Sequence, residues 1–551
     1  MLDSSRPVGM PTSSPNSATR TPLTLGFAAL LSALVIYACF FSRLDALGLV
    51  GPDEPRYAAV AREMATTGDW VTPRLHGDPW LEKPVLYYWA AATALQALGV
   101  TETAARLPSA LAALLATLLL AWLAWRRYDV ATAWAVLFIF PTAAGVLGFA
   151  RAATPDMLFS AALCLAMVAA ARVLPGAGSS PGFTVPWQIL LGAALAAAVL
   201  AKGPAALVLA GGSTLAWAAL SGRWSKALRL LNPRSVFCFL LLALPWYVLC
   251  AQANPQFVRT FVIEHNVARF FTPLFRHEQP FWFYGPILLL GLVPWTVLLV
   301  GAAREVIARN SAWRDAPELF FACWALFPAV LFSFSRSKLP GYILPTVAPL
   351  VLLLARHAAA AIGQREPLGR WLLAGVGGTL VALAASGQHW LSRLPAESGL
   401  NSAAAVRGWL AGIAVAGGLA ALLAMRKREW LAVALVAVTV AAQVEAVSRR
   451  LAPQLDPHLS ARAAAAARAN QPEAGEAAAY RLHRAWRYGL NFYLGQELPE
   501  WNPQTSQPAW LYTSAEGRAE LERQGRVEAV LYEGSRAAQL LRVRPAATAP
   551  D

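Results

Sequence analysis

The residues able to do chemistry in this chain fall into a few short stretches. The first reads GPDEPRYAAVAREM from Gly51 to Met64. It sets adjacent carboxylates, Asp53 and Glu54, beside Arg56 and Tyr57, and the same segment ends WLEKP with Glu82 and Lys83 adjacent. Further on come Arg151 and Asp156, and Lys202 in AKGP. Glu264, His265, Arg269, Arg276 and His277 follow between positions 253 and 281, and SRSKLPGY carries Arg336, Lys338 and Tyr342. A carboxylate can take a proton or balance a developing positive charge. Lysine and arginine are the usual partners of phosphate. Each residue also has a plainer reading. Asp53 would cap a helix that tolerates Pro55 in its first turn. A cation beside a bilayer snorkels towards water, and a lone histidine is often structural. The joint pattern carries the information, because acids, cations, a histidine and tyrosines recur in the same few segments.

Those segments need elements to position them, and the composition says which. Hydrophobic residues make up 57% of the 551 and charged residues 14%, against roughly 25% charged in soluble chains. Mean hydropathy is +0.46. Too few charges remain to cover water-facing domains, so soluble multidomain, disordered and coiled-coil classes are excluded in favour of an integral membrane protein. The net charge of +15 would suggest nucleic acid in a soluble chain. Here basic inside loops account for it first, and no nucleic-acid partner is expected. The five cysteines lie in apolar stretches without metal-site or framework spacing and read as small buried hydrophobes.

A span takes about 17–25 apolar residues. Candidates are 24–41, 104–125, 131–149, 157–174, 186–201, 204–220, 235–252, 282–301, 318–334, 341–356, 370–388, 405–425 and 428–447, about 13 in all. The stretch 85–99 reads as re-entrant or interfacial, with Tyr87, Tyr88 and Trp89 at headgroup level. With the N-terminus inside, every inside loop is basic, as in Arg126–Arg127, Arg223 to Arg234 and Arg426–Arg428. The chemical segments then gather outside, the loop 50–84 among them. Tyr57, Val60, Ala61 and Met64 recur there at helical spacing, marking an amphipathic helix lying flat on the bilayer. The domain division expected is a membrane domain over 1–447 and a small outer α/β domain over 448–551. The latter has strand-like runs at 476–483, 490–494, 509–513, 527–532 and 538–543. Costly charges near the bilayer are functional candidates. They suit a ligand with an anionic head and a long apolar tail.

The stretch DEPRYAAVAREMATTGDWVTPRLHGDPWLEKP from 53 to 84 resembles the first outer loop of the aminoarabinose (lipid A modifying) transferases, bacterial glycosyltransferases of the GT-C superfamily that use an undecaprenyl-phosphate-linked sugar. EH-x-x-x-RF at Glu264 to Phe270, SKLPGY at Ser337 to Tyr342 and NFYLG at Asn491 to Gly495 follow in the same order. The resemblance covers most of the chain. It implies a mainly α polytopic fold of about 13 helices with a small outer α/β domain. It implies transfer of a sugar, best matched by 4-amino-4-deoxy-L-arabinose, from undecaprenyl phosphate to lipid A at the periplasmic face of the inner membrane. Asp53, with Glu54 beside it, resembles the catalytic carboxylate, and Asp156 the second acid. Glu82 and His265 resemble a divalent-metal pair, with zinc as the candidate. Arg56, Tyr57, Lys83, Lys202, Arg269, Arg336, Lys338 and Tyr342 resemble the lining of the carrier-phosphate site. The chain departs from the family pattern at Trp80 and Leu81, where tyrosine and phenylalanine are usual.

The chemistry implied is displacement at the anomeric carbon, with cations stabilising the departing lipid phosphate. A hydroxyl acceptor would need Asp53 as base; a lipid A phosphate is already ionised. No nucleotide is expected, and no G-x-x-x-x-G-K-[ST] pattern occurs. The alternatives are a same-carrier transferase acting on protein or another glycolipid, and a lipid-sugar transporter. A transporter would place its ionisable residues near mid-membrane on broken helices.

Overall fold

A computed structural model describes residues 22–174, 184–272, 278–308, 314, 316–364, 367–391, 393, 404–469, 477–503, 509–534 and 536–544. Arg276 and His277 lie outside them. Among the described residues, eight helices are long and apolar enough to cross a membrane, or ten if each of two bent pairs counts as one span. The shorter apolar helices Gly26–Phe40, Ala205–Ser221 and Pro317–Ser333 occupy the remaining expected positions. Each of the 13 hydropathy segments therefore coincides with a helix or a bent pair. Their core is dominated by alanine, which lets backbones approach closely. Leucines such as Leu111, Leu115 and Leu118 stay exposed along one helix face, as expected of a surface that meets lipid.

Two expected straight spans are broken. Val130–Thr142 meets Ala144–Ala150 at 62°, and Phe281–Gly291 meets Trp295–Glu305 at 115°. Proline removes a backbone donor, so Pro141 and Pro294 interrupt the ladders. The breaks repair one another. The Ala144 amide donates to the Val293 carbonyl at 2.9 Å, and Trp295 Nε1 donates to Thr142 Oγ1 at 3.0 Å. Buried apolar surroundings make such pairing necessary.

The first loop folds as helix Asp53–Thr67, a small hairpin of β1 (Arg74–Leu75) and β2 (Asp78–Pro79), and helix Leu86–Leu98. Tyr57, Val60, Ala61 and Met64 are buried as their spacing predicts. Their face packs on Tyr87, Tyr88 and Phe492, not on open bilayer. Tyr87 and Tyr88 are each 1% exposed, which corrects their expected place at headgroup level. Asp53 does not cap its helix: the cap position is Pro52, with no side-chain hydrogen bond.

The C-terminal stretch forms a four-stranded sheet of β3 (Ala477–Tyr480), β4 (Ala509–Thr513), β5 (Val527–Tyr532) and β6 (Gln539–Val543), in the order β3-β4-β6-β5. β3 and β4 run parallel and the other pairs antiparallel. Four of the five expected strands are present. The run at 490–494 is instead the end of helix Arg484–Leu494, because its aromatic residues fit a helix with two buried faces as well as a strand.

Candidate functional site

The polar segments meet at a cavity of about 110 Å³ whose lining includes Lys83, Phe159, Lys202, His265, Arg269 and Tyr342. Apart from Phe159, which lies within helix Pro155–Val173, they come from turns or helix ends. Lys83 precedes helix Leu86–Leu98, and Lys202 is the last residue of Thr184–Lys202. His265 lies on the wide π-helical turn Val258–Ala268, Arg269 directly after it, and Tyr342 on the 3-10 turn Pro340–Ile343. A π-helix widens the spacing between side chains and is frequent at functional sites. Asp156 opens helix Pro155–Val173 and forms an ion pair with Lys202. Gly341 allows this contact, because a Cβ there would lie 2.5 Å from Asp156 Oδ1.

The charges leave the cavity positive. Asp156 neutralises Lys202, whose ammonium also sits 5.0 Å from the centre of the Tyr342 ring. Arg269 lies 5.8 Å from the same ring and hydrogen-bonds its hydroxyl. Lys83 donates to the Glu82 carbonyl at 3.2 Å, and among the described residues no carboxylate lies within ion-pair reach of it. Burial and the neighbouring Arg269 push its ammonium down to about 7, against the pull of Glu82. A cation so desolvated and crowded by like charge gains strongly from an anionic ligand. His265 is held below its ordinary range by burial, with Lys83 and Arg269 adding to the effect against Glu82.

The expected metal pair does not fit a resident zinc. His265 Nε2 lies 3.9 Å from Glu82 Oε1, but among the described residues no group of three His, Cys, Asp or Glu could hold a metal. Catalytic zinc takes three protein ligands, and here the flanking groups are cations.

Several expected site residues stand apart from this cavity. Arg56 lies in a cage of rings, 5.0 Å from Trp80, 5.3 Å from Tyr57 and 5.8 Å from Tyr488, and holds Asp53 Oδ1 at 2.6 Å. Asp53 keeps half its side chain exposed. Tyr57 is buried in the field of Asp53, Asp156 and Glu82, which with burial raises its phenol well above the ordinary range. Lys338 is not a lining residue. Its ammonium donates to the Ser335 and Gln279 carbonyls at 2.7 and 2.9 Å and so pins the loop. Arg336 is exposed and, with Lys338, borders a separate open recess.

Glu54 corrects the sequence reading most sharply. Its carboxylate is 6% exposed and takes a fork of bonds from Arg106, Nε at 3.0 Å and Nη2 at 2.7 Å. The Ala153 amide at 2.7 Å and the Val50 amide at 2.9 Å complete its contacts. With every lone pair engaged it has none for substrate. Arg106 also donates to the carbonyls of Leu44, Leu47 and Gly48. Sequence reasoning passed over this arginine, although a lone arginine just inside an apolar span was signal enough. Phe159 and Asn266 also line the cavity, and nothing in their local sequence marks them.

A model of the dolichyl-phosphate-mannose-protein mannosyltransferase family matches residues 27–261. The undecaprenyl phosphate-alpha-4-amino-4-deoxy-L-arabinose arabinosyl transferase of Edwardsiella ictaluri is 34% identical over 345 residues, 60% of either chain. The enzyme of that name from Erwinia tasmaniensis is 33% identical over 372 residues, 65% of this chain and 64% of its own. The match thus spans about 60% of the length of these curated relatives. The crystal structure of ArnT from Cupriavidus metallidurans bound to undecaprenyl phosphate superposes with a TM-score of 0.75 at 24% identity, covering 96% of this chain and 99% of that one. Its apo state gives 0.77 at 23% identity, covering 96% and 100%. The chain is therefore a multi-pass membrane protein with the fold of these ArnT structures, and over about 60% of its length it is similar in sequence to the aminoarabinose transferases.

Proposed function

We propose that this protein moves a sugar, 4-amino-4-deoxy-L-arabinose in the reading that its relatives support, from undecaprenyl phosphate to a lipid A phosphate. The face is the periplasmic side of a bacterial inner membrane, on which the positive-inside rule puts the loops that build the site. One observation carries the reading: Lys83 and Arg269 face one cavity with Tyr342, while the acid beside them is already paired with Lys202. Such a cavity suits one lipid phosphate, and apolar helices beside it suit the polyprenyl tail.

In the reaction an acceptor oxygen forms a bond to the anomeric carbon as the bond from that carbon to the donor phosphate oxygen breaks. The electron pair leaves with the lipid phosphate, and Lys83 and Arg269 stabilise the charge that develops there. An ionised lipid A phosphate needs no proton removed, so Asp53 orients the acceptor or balances the oxocarbenium-like carbon. With a hydroxyl acceptor, Asp53 Oδ takes the proton. The match to the mannosyltransferase family model favours protein as the second acceptor class. Mass spectrometry of lipid A from cells with and without this gene separates the two: a difference of one pentosamine supports the lipid A reading, and identical lipid A overturns it.

A further inference from the structure

The helix Arg484–Leu494 faces two cores at once. Leu490, with Trp486 and Leu494, packs into the cluster under the C-terminal sheet. Phe492, 2% exposed, packs with Tyr488 and Tyr493 into the cluster of Tyr57, Val60 and Met64 on the first loop. Polar contacts tie the same helix to the first loop and to the residues flanking it. Tyr493 Oη accepts from the Leu49 amide at 2.9 Å and donates to Glu102 at 2.8 Å. Arg62 donates to the Phe492 carbonyl at 2.7 Å. The approach needs the glycine that ends the helix, because Gly495 has φ +76° and a Cβ there would lie 2.6 Å from the Arg62 guanidinium. Asn491 accepts from the Leu498 amide at 3.0 Å, which orients its NH₂ towards His76 Nε2 at 3.2 Å. His76 sits at the hairpin turn with φ +56°, a left-handed conformation uncommon for a residue with a Cβ. Four residues on from the hairpin tip comes Trp80, and one face of its indole lies against Arg56.

We infer that the C-terminal stretch is a working part of the catalytic site, with Tyr488 the positioning residue that completes the ring cage of Arg56 and thereby aims Asp53. The inference rests on the transferase reading above. Arg56 reaches Asp53 at 2.6 Å, and three rings from three segments, Tyr57, Trp80 and Tyr488, limit where its guanidinium can lie. Tyr488 is the one ring that comes from outside the first loop. A cation held over an aromatic face keeps that preference whether or not the ring carries a hydroxyl, so phenylalanine should serve at 488 and leucine should not.

The test is a double-mutant cycle on the full-length protein, with turnover and donor KM measured separately. Tyr488→Leu should lower kcat about tenfold and leave donor KM within twofold, because the phosphate cavity does not include it. Tyr488→Phe should keep kcat within twofold. In an Arg56→Met background Tyr488→Leu should have little further effect, since residues acting through one contact are not additive. Full turnover in Tyr488→Leu, equal loss in Tyr488→Phe, or an additive loss on top of Arg56→Met would each overturn the inference. Hydrogen exchange of peptides covering 48–67 supplies a readout that needs no sugar transfer. Should the wild type transfer no sugar, the transferase reading falls. Faster exchange in Tyr488→Leu but not in Tyr488→Phe then still supports the positioning contact, and unchanged exchange overturns it.

Discussion

Asp53 and Glu54 are neighbours on one helix with the same functional group and opposite fates. Glu54 points into the protein, where Arg106 and two backbone amides saturate it. Asp53 points along the surface, held on one side by Arg56 and otherwise open. A helix turns about 100° per residue, so adjacent carboxylates cannot share a face. The inner one joins the 44–54 turn to the span that carries Arg106. The outer one is left with lone pairs to spend on a ligand. Within the same few residues the fold thus engages one carboxylate fully and leaves the other accessible.

The largest effect should come from breaking the inner pair. Glu54→Gln should cost about 3–5 kcal/mol, because Arg106 is left buried without its counter-charge. Thermal unfolding in detergent checks it, and an unchanged midpoint would put Glu54 back among the reacting groups. Asp53→Asn should leave that midpoint alone and cut sugar transfer about a hundredfold or more. A variant at full turnover would remove Asp53 from the chemistry.

Lys83→Ala should weaken donor binding about 10- to 100-fold through loss of a charge-assisted contact. The sign with pH follows from its ammonium lying near 7 in the free protein. The charge is present below that value and lost above it, so affinity for the donor should fall between pH 7 and 9. Lys83→Arg should flatten the fall, since guanidinium stays charged throughout. A flat wild-type profile would reject the phosphate contact. The smallest effect belongs to Arg336→Ala, which should change donor KM less than twofold because it borders only the outer recess. A tenfold rise would extend the phosphate site to that loop. Chelator treatment should leave turnover unchanged; loss restored by added zinc would reinstate a metal at Glu82 and His265.

Much of the fold was legible because span length and apolarity are properties of consecutive residues. Each hydropathy segment from 24–41 to 428–447 corresponds to a helix or a bent pair. Lys83, Lys202, His265, Arg269 and Tyr342 could be nominated from type and neighbourhood, since charge beside a bilayer is costly. Lys338 could not be separated from them. Only the backbone carbonyls of Ser335 and Gln279, which no local sequence announces, show that its ammonium is already occupied. Tyr87 and Tyr88 misled for a similar reason: an amphipathic ring suits a headgroup region and a buried ring cluster alike.

By itself the sequence determined the membrane class, the place of the apolar helices, and which segments carry polar groups. These follow from local composition and from the price of burying charge. The tertiary structure decided which of those groups meet. It buried Glu54 and left Asp53 accessible, kept Lys338 and Arg336 out of the cavity, and brought Tyr488 more than four hundred residues along the chain to Arg56. Such choices depend on helix rotation, on breaks that repair each other, and on packing between distant segments, none of which a linear pattern contains.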